Sequence, residues 1–351
     1  MEFTPIKRDW AGRYLFPDPT TGGERAYTRV TTLAKALDDT FFLDQWKQRQ
    51  VIKGLSERHD LYTLACATPI EDKKTLNGIA KDAMNALPSR ANLGTAVHAA
   101  TENADRNETY NLPAQYRADV RAYVAAREKL GLEVEPEYIE AVLVNDAFDV
   151  AGTTDRFLRA TRATAELVNA AIGDLNAARE KRGVRGRMET SVKSGELLVA
   201  DVKTGSSVDF GGSAMPIQLA AYATAGRIMD KATGALVTAP YVNTDVGLIF
   251  HVPAGEGKAY VHIVDLVEGK QGAGLAQAVL RWQRASGPRE QTRMAKVGRV
   301  VKAPDDVPLD RAILMQDTRA GLEGLYIARQ DEFTSQHVDA VRARLKDLGI
   351  V

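Results

Sequence analysis

The chain has 351 residues, of which 44% are hydrophobic, and its 46 basic residues balance 46 acidic ones. This length can bury one large core with appendages, and no apolar run approaches the roughly 18 residues that a membrane span requires. The balanced charge excludes a uniformly basic nucleic-acid binder, although basic groups can still gather along one groove.

The cysteine content and the amino terminus indicate a compartment. A single cysteine, Cys66, fits a reducing environment, and a small core residue is the simplest role for it. The first eight residues do not have the pattern of a signal peptide. We therefore expect a cytoplasmic protein.

Residues 1–90 predict a mostly helical extension. Short strand-like and turn segments come first, followed by a helix over residues 28–37 that begins with a threonine cap. A second helical pattern covers residues 43–54 around Trp46, for which packing in a core is the simplest interpretation.

Residues 91–287 alternate between helical and strand-like patterns and predict the core of the protein. The predicted helices cover residues 92–105, 114–130 and 213–229, and the predicted strands cover residues 135–144, 147–158, 196–204, 245–252 and 259–265. Helices against a mixed sheet make the fold class α/β.

Two further segments complete the predicted organisation. A helix-forming stretch that ends in basic residues interrupts the core as an insertion at about residues 160–195. Residues 288–351 predict a charged helical extension, clearest at residues 313–329 and 335–348.

The most informative segment is an apolar run that ends in Asp-x-Lys at Asp201 and Lys203. Side chains alternate between the two faces of a strand, so these two point the same way while Val202 packs behind them. A carboxylate can bind a hard divalent cation, and an ammonium group beside it can act on a water or a phosphate. Alone, such a tripeptide is more often a solvated charge pair.

Further polar residues lie on predicted strands and helices upstream and downstream of this segment. Asp155 follows Gly152 in a second strand-like run, and His98 lies on the predicted helix that begins near Gly94. Downstream, a glutamine and a tyrosine four residues apart share one face of a predicted helix, at Gln218 and Tyr222.

This ordered set of His, Gly-x-x-Asp, Asp-x-Lys and Gln-x-x-x-Tyr resembles the RecB-like branch of the PD-(D/E)XK nuclease superfamily, which includes phage and CRISPR-adaptation exonucleases. The resemblance covers roughly residues 94–222. It implies a nuclease core in which a mixed central sheet is flanked by helices.

The resemblance also implies roles for individual residues. The metal ligands would be His98, Asp155, Asp201 and the backbone carbonyl of Val202. The catalytic group would be Lys203, acting with Asp155, Asp201 and Gln218 on a metal-bound water. Glu140 and Tyr222 would support the ligands or contact DNA. The implied cofactor is Mg²⁺ or Mn²⁺, and an imidazole ligand makes Mn²⁺ at least as suitable as Mg²⁺.

Two features depart from the family pattern. Members that carry an iron-sulfur cluster use four cysteines, and one cysteine cannot provide that ligation within a single chain. The insertion between Asp155 and Asp201 is long, and a hairpin would carry its basic end to the rim of the cleft. We therefore expect contacts with the DNA phosphate backbone from the residues Lys181, Arg182, Arg185 and Arg187, with a solvated loop as the alternative.

The expected function is a metal-dependent DNA nuclease, most simply an exonuclease that acts on DNA ends in recombination, repair or phage DNA metabolism. Three alternatives stay open: a structure-specific endonuclease, a DNA-end-binding subunit that does not cut, and a metal-dependent hydrolase of another substrate. The sequence has no Gly-x-x-x-x-Gly-Lys-Ser/Thr loop, so ATP-driven unwinding would need a partner. Expected partners are DNA and a recombinase, a single-strand-binding protein or a helicase. The resemblance also allows a phage-encoded protein that acts in the host cytoplasm.

Overall fold

A computed structural model describes residues 6–86, 90–183, 188, 190–208, 213–285 and 307–350. The chain divides into two compact units, Met1–Ala285 and Ser286–Val351. The described residues combine helices with two mixed sheets, which confirms the α/β class.

The larger unit contains all the described strands. They are β1 Tyr14–Pro17, β2 Glu24–Arg29, β3 Leu132–Val134, β4 Ala141–Asn145, β5 Val150–Thr154, β6 Arg156–Ala160, β7 Leu197–Lys203, β8 Arg227–Met229, β9 Leu236–Thr238, β10 Val242–His251 and β11 Tyr260–Asp265.

Helices flank these strands and form the smaller unit. They are α1 Val30–Ala34, α2 Phe41–Glu57, α3 His59–Ala67, α4 Lys73–Ala86, α5 Arg90–Asp105, α6 Arg117–Lys129, α7 Arg162–Lys181, α8 Ala214–Ala223, α9 Leu266–Ala285, α10 Leu309–Leu314, α11 Arg319–Ala328 and α12 Ser335–Asp347.

The strands form a six-stranded sheet in the order β1-β2-β5-β4-β8-β9 and a five-stranded sheet in the order β11-β10-β7-β6-β3. Only the β2–β5 and β7–β10 pairs are parallel among the described pairs, and α8 lies in the connection between β7 and β10. The chain leaves the first sheet at Thr154 and enters the second at Arg156. Asp155 is therefore the junction between the two sheets.

Strand β7 shows why the core positions the Asp-x-Lys pair. Leu197 and Val199 pack in a cluster with α1, α8 and α9, whereas Leu198, Ala200 and Val202 pack in a second cluster with α5, α6 and α7. Because side chains alternate, Asp201 and Lys203 continue the first row, which confirms that Val202 packs behind them.

Several predicted elements need correction. The predicted strand over residues 147–158 is two strands, and the one over residues 135–144 is a 3₁₀ turn at Pro136–Tyr138 followed by β4. The helix after residue 213 ends at Ala223, and β8 follows it. The helix predicted at residue 28 begins at Val30 with Arg29 at its cap, because Thr28 and Arg29 pair with β5.

The exposure of two side chains also differs from the prediction. Cys66 is exposed on α3, so it is not a core residue. Trp46 is 47% exposed on α2, so the prediction that it packs in a core was wrong. The helices α2 and α3 bury little, with Gly54 and Leu61 as their buried residues, so side chains of apolar type on them stay exposed.

The smaller unit has its own core. Leu309, Ile313, Leu322 and Leu325 are buried between α10, α11 and α12. The helix predicted over residues 313–329 is interrupted, because Thr318 caps α11 by accepting a hydrogen bond from the Gly321 N–H.

Candidate metal centre

Asp155 is held where the chain crosses between the sheets. Its Oδ2 accepts a hydrogen bond of 2.7 Å from the Val202 N–H of β7, and its backbone carbonyl accepts one of 2.8 Å from the Glu140 N–H. The pairing of β6 with β7 ends at Arg156, opposite Ala200, which leaves the Val202 N–H free to bind this side chain. The junction thus holds the Asp155 carboxylate against the end of β7.

Asp201 and Lys203 form the second part of the site. The amide of Gln218 on α8 donates a hydrogen bond of 3.2 Å to Oδ1 of Asp201. Lys203 Nζ lies 2.6 Å from Oδ2 of Asp201, yet that buried oxygen accepts no hydrogen bond with acceptable geometry. The second oxygen is therefore the less well satisfied one, and a buried carboxylate oxygen in that state favours a cation.

Helix α5 brings an imidazole to the carboxylates. Gly94 packs against the residue after β7, because a Cβ at this position would lie 2.5 Å from Oγ1 of Thr204. One turn later, His98 Nε2 lies 2.7 Å from Oδ2 of Asp155, and Nδ1 lies 2.8 Å from Oε1 of Glu102. A glycine near the helix start thus allows the approach that joins His98 to Asp155.

Glu102 is a site residue that the sequence reasoning missed. Ligand atoms of His98, Glu102 and Glu140 lie within 4.8 Å of one another, so these three groups could hold a metal ion. The signal was the i, i+4 spacing from His98, which places Glu102 on the same helix face. Exposed acids at that spacing are common, so the spacing alone carries little information.

Glu140 is closer to the site than a strand position would allow. It stands just before β4 with a φ of 52°, in the left-handed region that non-glycine residues rarely occupy. Such a conformation costs on the order of 1 kcal/mol and is retained where the surroundings determine it. Here the Glu140 N–H bonds the Asp155 carbonyl, and the backbone turn directs the carboxyl to Glu102 and His98.

The pKa values show an excess of negative charge. Burial opposes the imidazolium of His98, but hydrogen bonds to Asp155 and Glu102 prevail and raise its pKa to about 10. Burial and the charge of Asp155 raise the pKa of Asp201 to about 6. Burial and the charges of Glu102 and Asp155 raise the pKa of Glu140 to about 7. The carboxyls therefore compete for the positive charge that is present.

The same charges explain why two carboxyls remain ionised. Burial disfavours the Asp155 carboxylate, but the His98 hydrogen bond and the charges of His98 and Arg156 lower its pKa. Burial likewise disfavours the Glu102 carboxylate, whose pKa is lowered by the hydrogen bond from His98. Without a metal, the protonated imidazole bridges these two anions. A divalent cation would take over that role.

Helix α8 closes the site from behind. Gln218 contacts Asp201, and Tyr222 is buried at 3% exposure. A Cβ at Gly152 would lie 2.8 Å from the Tyr222 hydroxyl, so the glycine makes room for this ring. Because Tyr222 is buried, a supporting role fits it better than contact with DNA.

A buried ion pair fixes the register of α5 against β6. Arg156 is fully buried, and its guanidinium donates a hydrogen bond of 2.6 Å to Oδ2 of Asp105, which also accepts one of 2.7 Å from Tyr123. Arg127 pairs with the other oxygen of Asp105. Asp105 lies on the helix of His98, and Arg156 follows Asp155. The pair therefore holds the imidazole and the carboxylate in contact.

The insertion is anchored away from this site. The Gly195 N–H donates to the Ala160 carbonyl at 2.7 Å, and Asn169 on α7 bonds Val192. Ala160 is five residues beyond Asp155, which is about 16 Å along a strand. These contacts fix the base of the insertion and do not locate its basic end, whose place at the rim of the cleft stays a prediction. Lys181 and Arg182 are exposed, whereas Arg185 and Arg187 lie outside the described residues.

The structure thus brings together His98, Asp155, Asp201, Lys203, Gln218 and Glu140, and adds Glu102. The role of the Val202 carbonyl as a ligand stays a prediction. In comparisons with known proteins, no family model and no curated protein matches this chain. No helix in the described part of the chain has the length and apolar character needed to cross a membrane.

Proposed function

We propose that the protein is a metal-dependent deoxyribonuclease of the RecB-like PD-(D/E)XK type. The observation that supports this most strongly is the convergence of an imidazole, four carboxylates and a lysine from helix α5, strand β7 and the turns before β4 and after β5. Residues far apart in sequence contribute to it, so a local surface charge pair does not explain the arrangement.

The donor set fits one hard divalent cation. By donor type, oxygen ligands from Asp155 and Asp201 with a nitrogen ligand from His98 suit Mn²⁺ and Mg²⁺. Among the described residues, the group with ligand atoms within 4.8 Å of one another is His98, Glu102 and Glu140, so Glu102 and Glu140 are candidate ligands as well. Added positive charge would give the poorly satisfied Oδ2 of Asp201 a partner. It would also lower the raised pKa of Glu140. The cation, when bound, lowers the pKa of a water and neutralises phosphate charge.

The other side chains of the site have separate roles, either in contact with the phosphate or in positioning a neighbouring side chain. Lys203 is 31% exposed at its side chain, so its ammonium can leave Asp201 and stabilise the negative charge that develops on the phosphate. Gln218 holds Asp201 in orientation through Oδ1. His98 must give up its Nε2 proton before that nitrogen can bind a cation. No residue becomes covalently attached to the DNA in this scheme.

The substrate in this proposal is DNA, and an exonuclease acting on ends is the leading form of the activity. A structure-specific endonuclease, a subunit that holds ends without cutting and a hydrolase of another substrate are the competing forms. The complete lysine-carboxylate set argues against the subunit that does not cut, because such a subunit has no need of Lys203. A recombinase, single-strand-binding protein or helicase is the proposed kind of partner.

Purified protein should be tested with end-labelled linear DNA and with covalently closed circles, each single-stranded and duplex, in Mg²⁺ or Mn²⁺. An exonuclease degrades only the linear forms, and the order in which 5′ and 3′ labels are released gives its polarity. Cleavage of closed circles would identify an endonuclease. Binding of ends without cleavage in either metal would favour the end-binding subunit. If the protein neither binds nor cleaves any of these DNA forms, the proposal is contradicted.

A further inference from the structure

Helix α2 carries an exposed stripe of two aromatic rings followed by two cations. Phe42 and Trp46 are 62% and 47% exposed, and Arg49 and Lys53 are also exposed. Their spacing of four, three and four residues places all of them on one face of a helix. We call these four residues the α2 stripe.

The stripe lies to one side of the packing surface of α2. The helix packs on α4 through Gly54, where a Cβ would lie 1.9 Å from the Ala83 carbonyl oxygen. At about 100° per residue, Phe42 lies roughly 120° around the helix from Gly54. Large aromatic side chains that stay exposed on such a face mark an interaction site more often than singly scattered residues do.

The segment before α2 is hydrogen-bonded to the start of α8, the helix that carries Gln218. Oδ1 of Asp38 accepts a hydrogen bond of 3.3 Å from the hydroxyl of Ser213, and α2 begins at Phe41. Ser213 is the residue before α8, on which Gln218 follows about 7.5 Å further along the axis. The aromatic end of the stripe is therefore the end that lies closer along the chain to this contact.

We propose that the α2 stripe binds the single-stranded end of a DNA substrate, with bases stacked on Phe42 and Trp46 and phosphates held by Arg49 and Lys53. This rests on the proposed function and gives it a substrate form: a frayed or single-stranded end. Exposed aromatic rings accept any base by stacking, and cations follow the backbone. The exposed Lys53–Glu57 ion pair of 3.0 Å exchanges readily for a phosphate, because such pairs are weak.

The first test measures binding of the full chain to fluorescein-labelled dT20 by anisotropy, in an Asp201→Ala background that leaves the DNA intact. The double variant Phe42→Ala/Trp46→Ala should weaken dT20 binding roughly tenfold or more. Its binding to a blunt-ended duplex should weaken by less than about twofold. Trp10→Ala is the matched control, because Trp10 is 96% exposed elsewhere in the same unit, and it should change neither affinity. Unchanged dT20 affinity in the double variant, or an equal loss on duplex, would overturn the proposal.

The cations have a separate signature. Replacing Arg49 and Lys53 by alanine should reduce the salt dependence of dT20 binding by about 1.4 in log–log slope, since each single-strand phosphate contact contributes about 0.7. An unchanged slope overturns the assignment of these two residues.

A second readout does not depend on removing the aromatic rings. The chain has three tryptophans, so Trp10→Phe with Trp282→Phe leaves Trp46 as the sole indole. Stacking predicts that dT20 quenches the fluorescence of Trp46 and that a blunt-ended duplex does not.

The outcomes separate the two proposals. Loss of self-association in the Phe42→Ala/Trp46→Ala variant with no quenching would assign the α2 stripe to a protein contact and overturn the DNA-binding proposal. Quenching without any DNA cleavage would support the stripe and contradict the nuclease proposal, and cleavage without quenching would do the reverse.

Discussion

Because four carboxylates crowd the candidate metal centre, removing one charge should stabilise the metal-free protein. Asp201 is the most informative choice, since its side chain is 5% exposed and burial, together with the charge of Asp155, raises its pKa from 3.8 to about 6. A shift of about two pKa units corresponds to a penalty on the order of 3 kcal/mol when the group is fully ionised.

The direction of the pH dependence follows from that shift. A carboxyl whose pKa is higher in the folded state binds its proton more tightly there, so stability falls as the pH rises from about 4 to about 6 and stays lower above it. Asp201→Asn keeps the shape and an acceptor for Gln218. It should raise the free energy of unfolding by on the order of 3 kcal/mol at pH 8 and by roughly a third of that at pH 4.5.

Urea unfolding in EDTA at the two pH values measures this effect. Asp82→Asn is the matched control, because Asp82 is an exposed aspartate on α4, and it should change the free energy by less than about 0.5 kcal/mol. Saturating Mn²⁺ should stabilise the wild type more than Asp201→Asn. Destabilisation by Asp201→Asn at pH 8, or an equal gain at both pH values, would refute charge crowding as the cause.

Three further substitutions test separate parts of the account. Lys203→Ala should lower the turnover rate at saturating DNA by roughly two orders of magnitude while calorimetry finds Mn²⁺ affinity retained, and a change confined to DNA affinity would make Lys203 a phosphate anchor. Glu102→Gln should weaken Mn²⁺ binding about 10- to 100-fold, because it removes the carboxylate charge that lies against His98, and unchanged affinity would exclude that role. Arg156→Met should reduce the free energy of unfolding by about 3–5 kcal/mol, because it leaves Asp105 buried with an incomplete set of partners, and a loss below about 1 kcal/mol would contradict this.

The sequence was informative where the chemistry is local. Strand alternation correctly placed Asp201 and Lys203 on one face with Val202 behind them, and the helix that presents His98 was found within two residues of its start. A strand pattern depends on neighbouring residues only. For that reason the alternation of side chains can be predicted without knowing the contacts of the strand with distant segments.

Contacts between distant segments could not be read in the same way. Nothing near Asp155 in the sequence indicates that the strand breaks there, because the break results from β5 and β6 joining different sheets. Arg156 and Asp105 are 51 residues apart, and each alone has the sequence appearance of an ordinary surface charge. Glu102 was missed because its role depends on Glu140, which a backbone turn brings to the same place.

The central claim is that these side chains bind a divalent cation and that the protein uses this site to hydrolyse DNA. Its most direct test is the single-turnover rate of linear DNA cleavage at saturating Mn²⁺ for the wild type and for Asp201→Ala, with folding checked by circular dichroism. The account predicts EDTA-sensitive cleavage by the wild type and its loss in the folded variant. Cleavage by Asp201→Ala near the wild-type rate would contradict it.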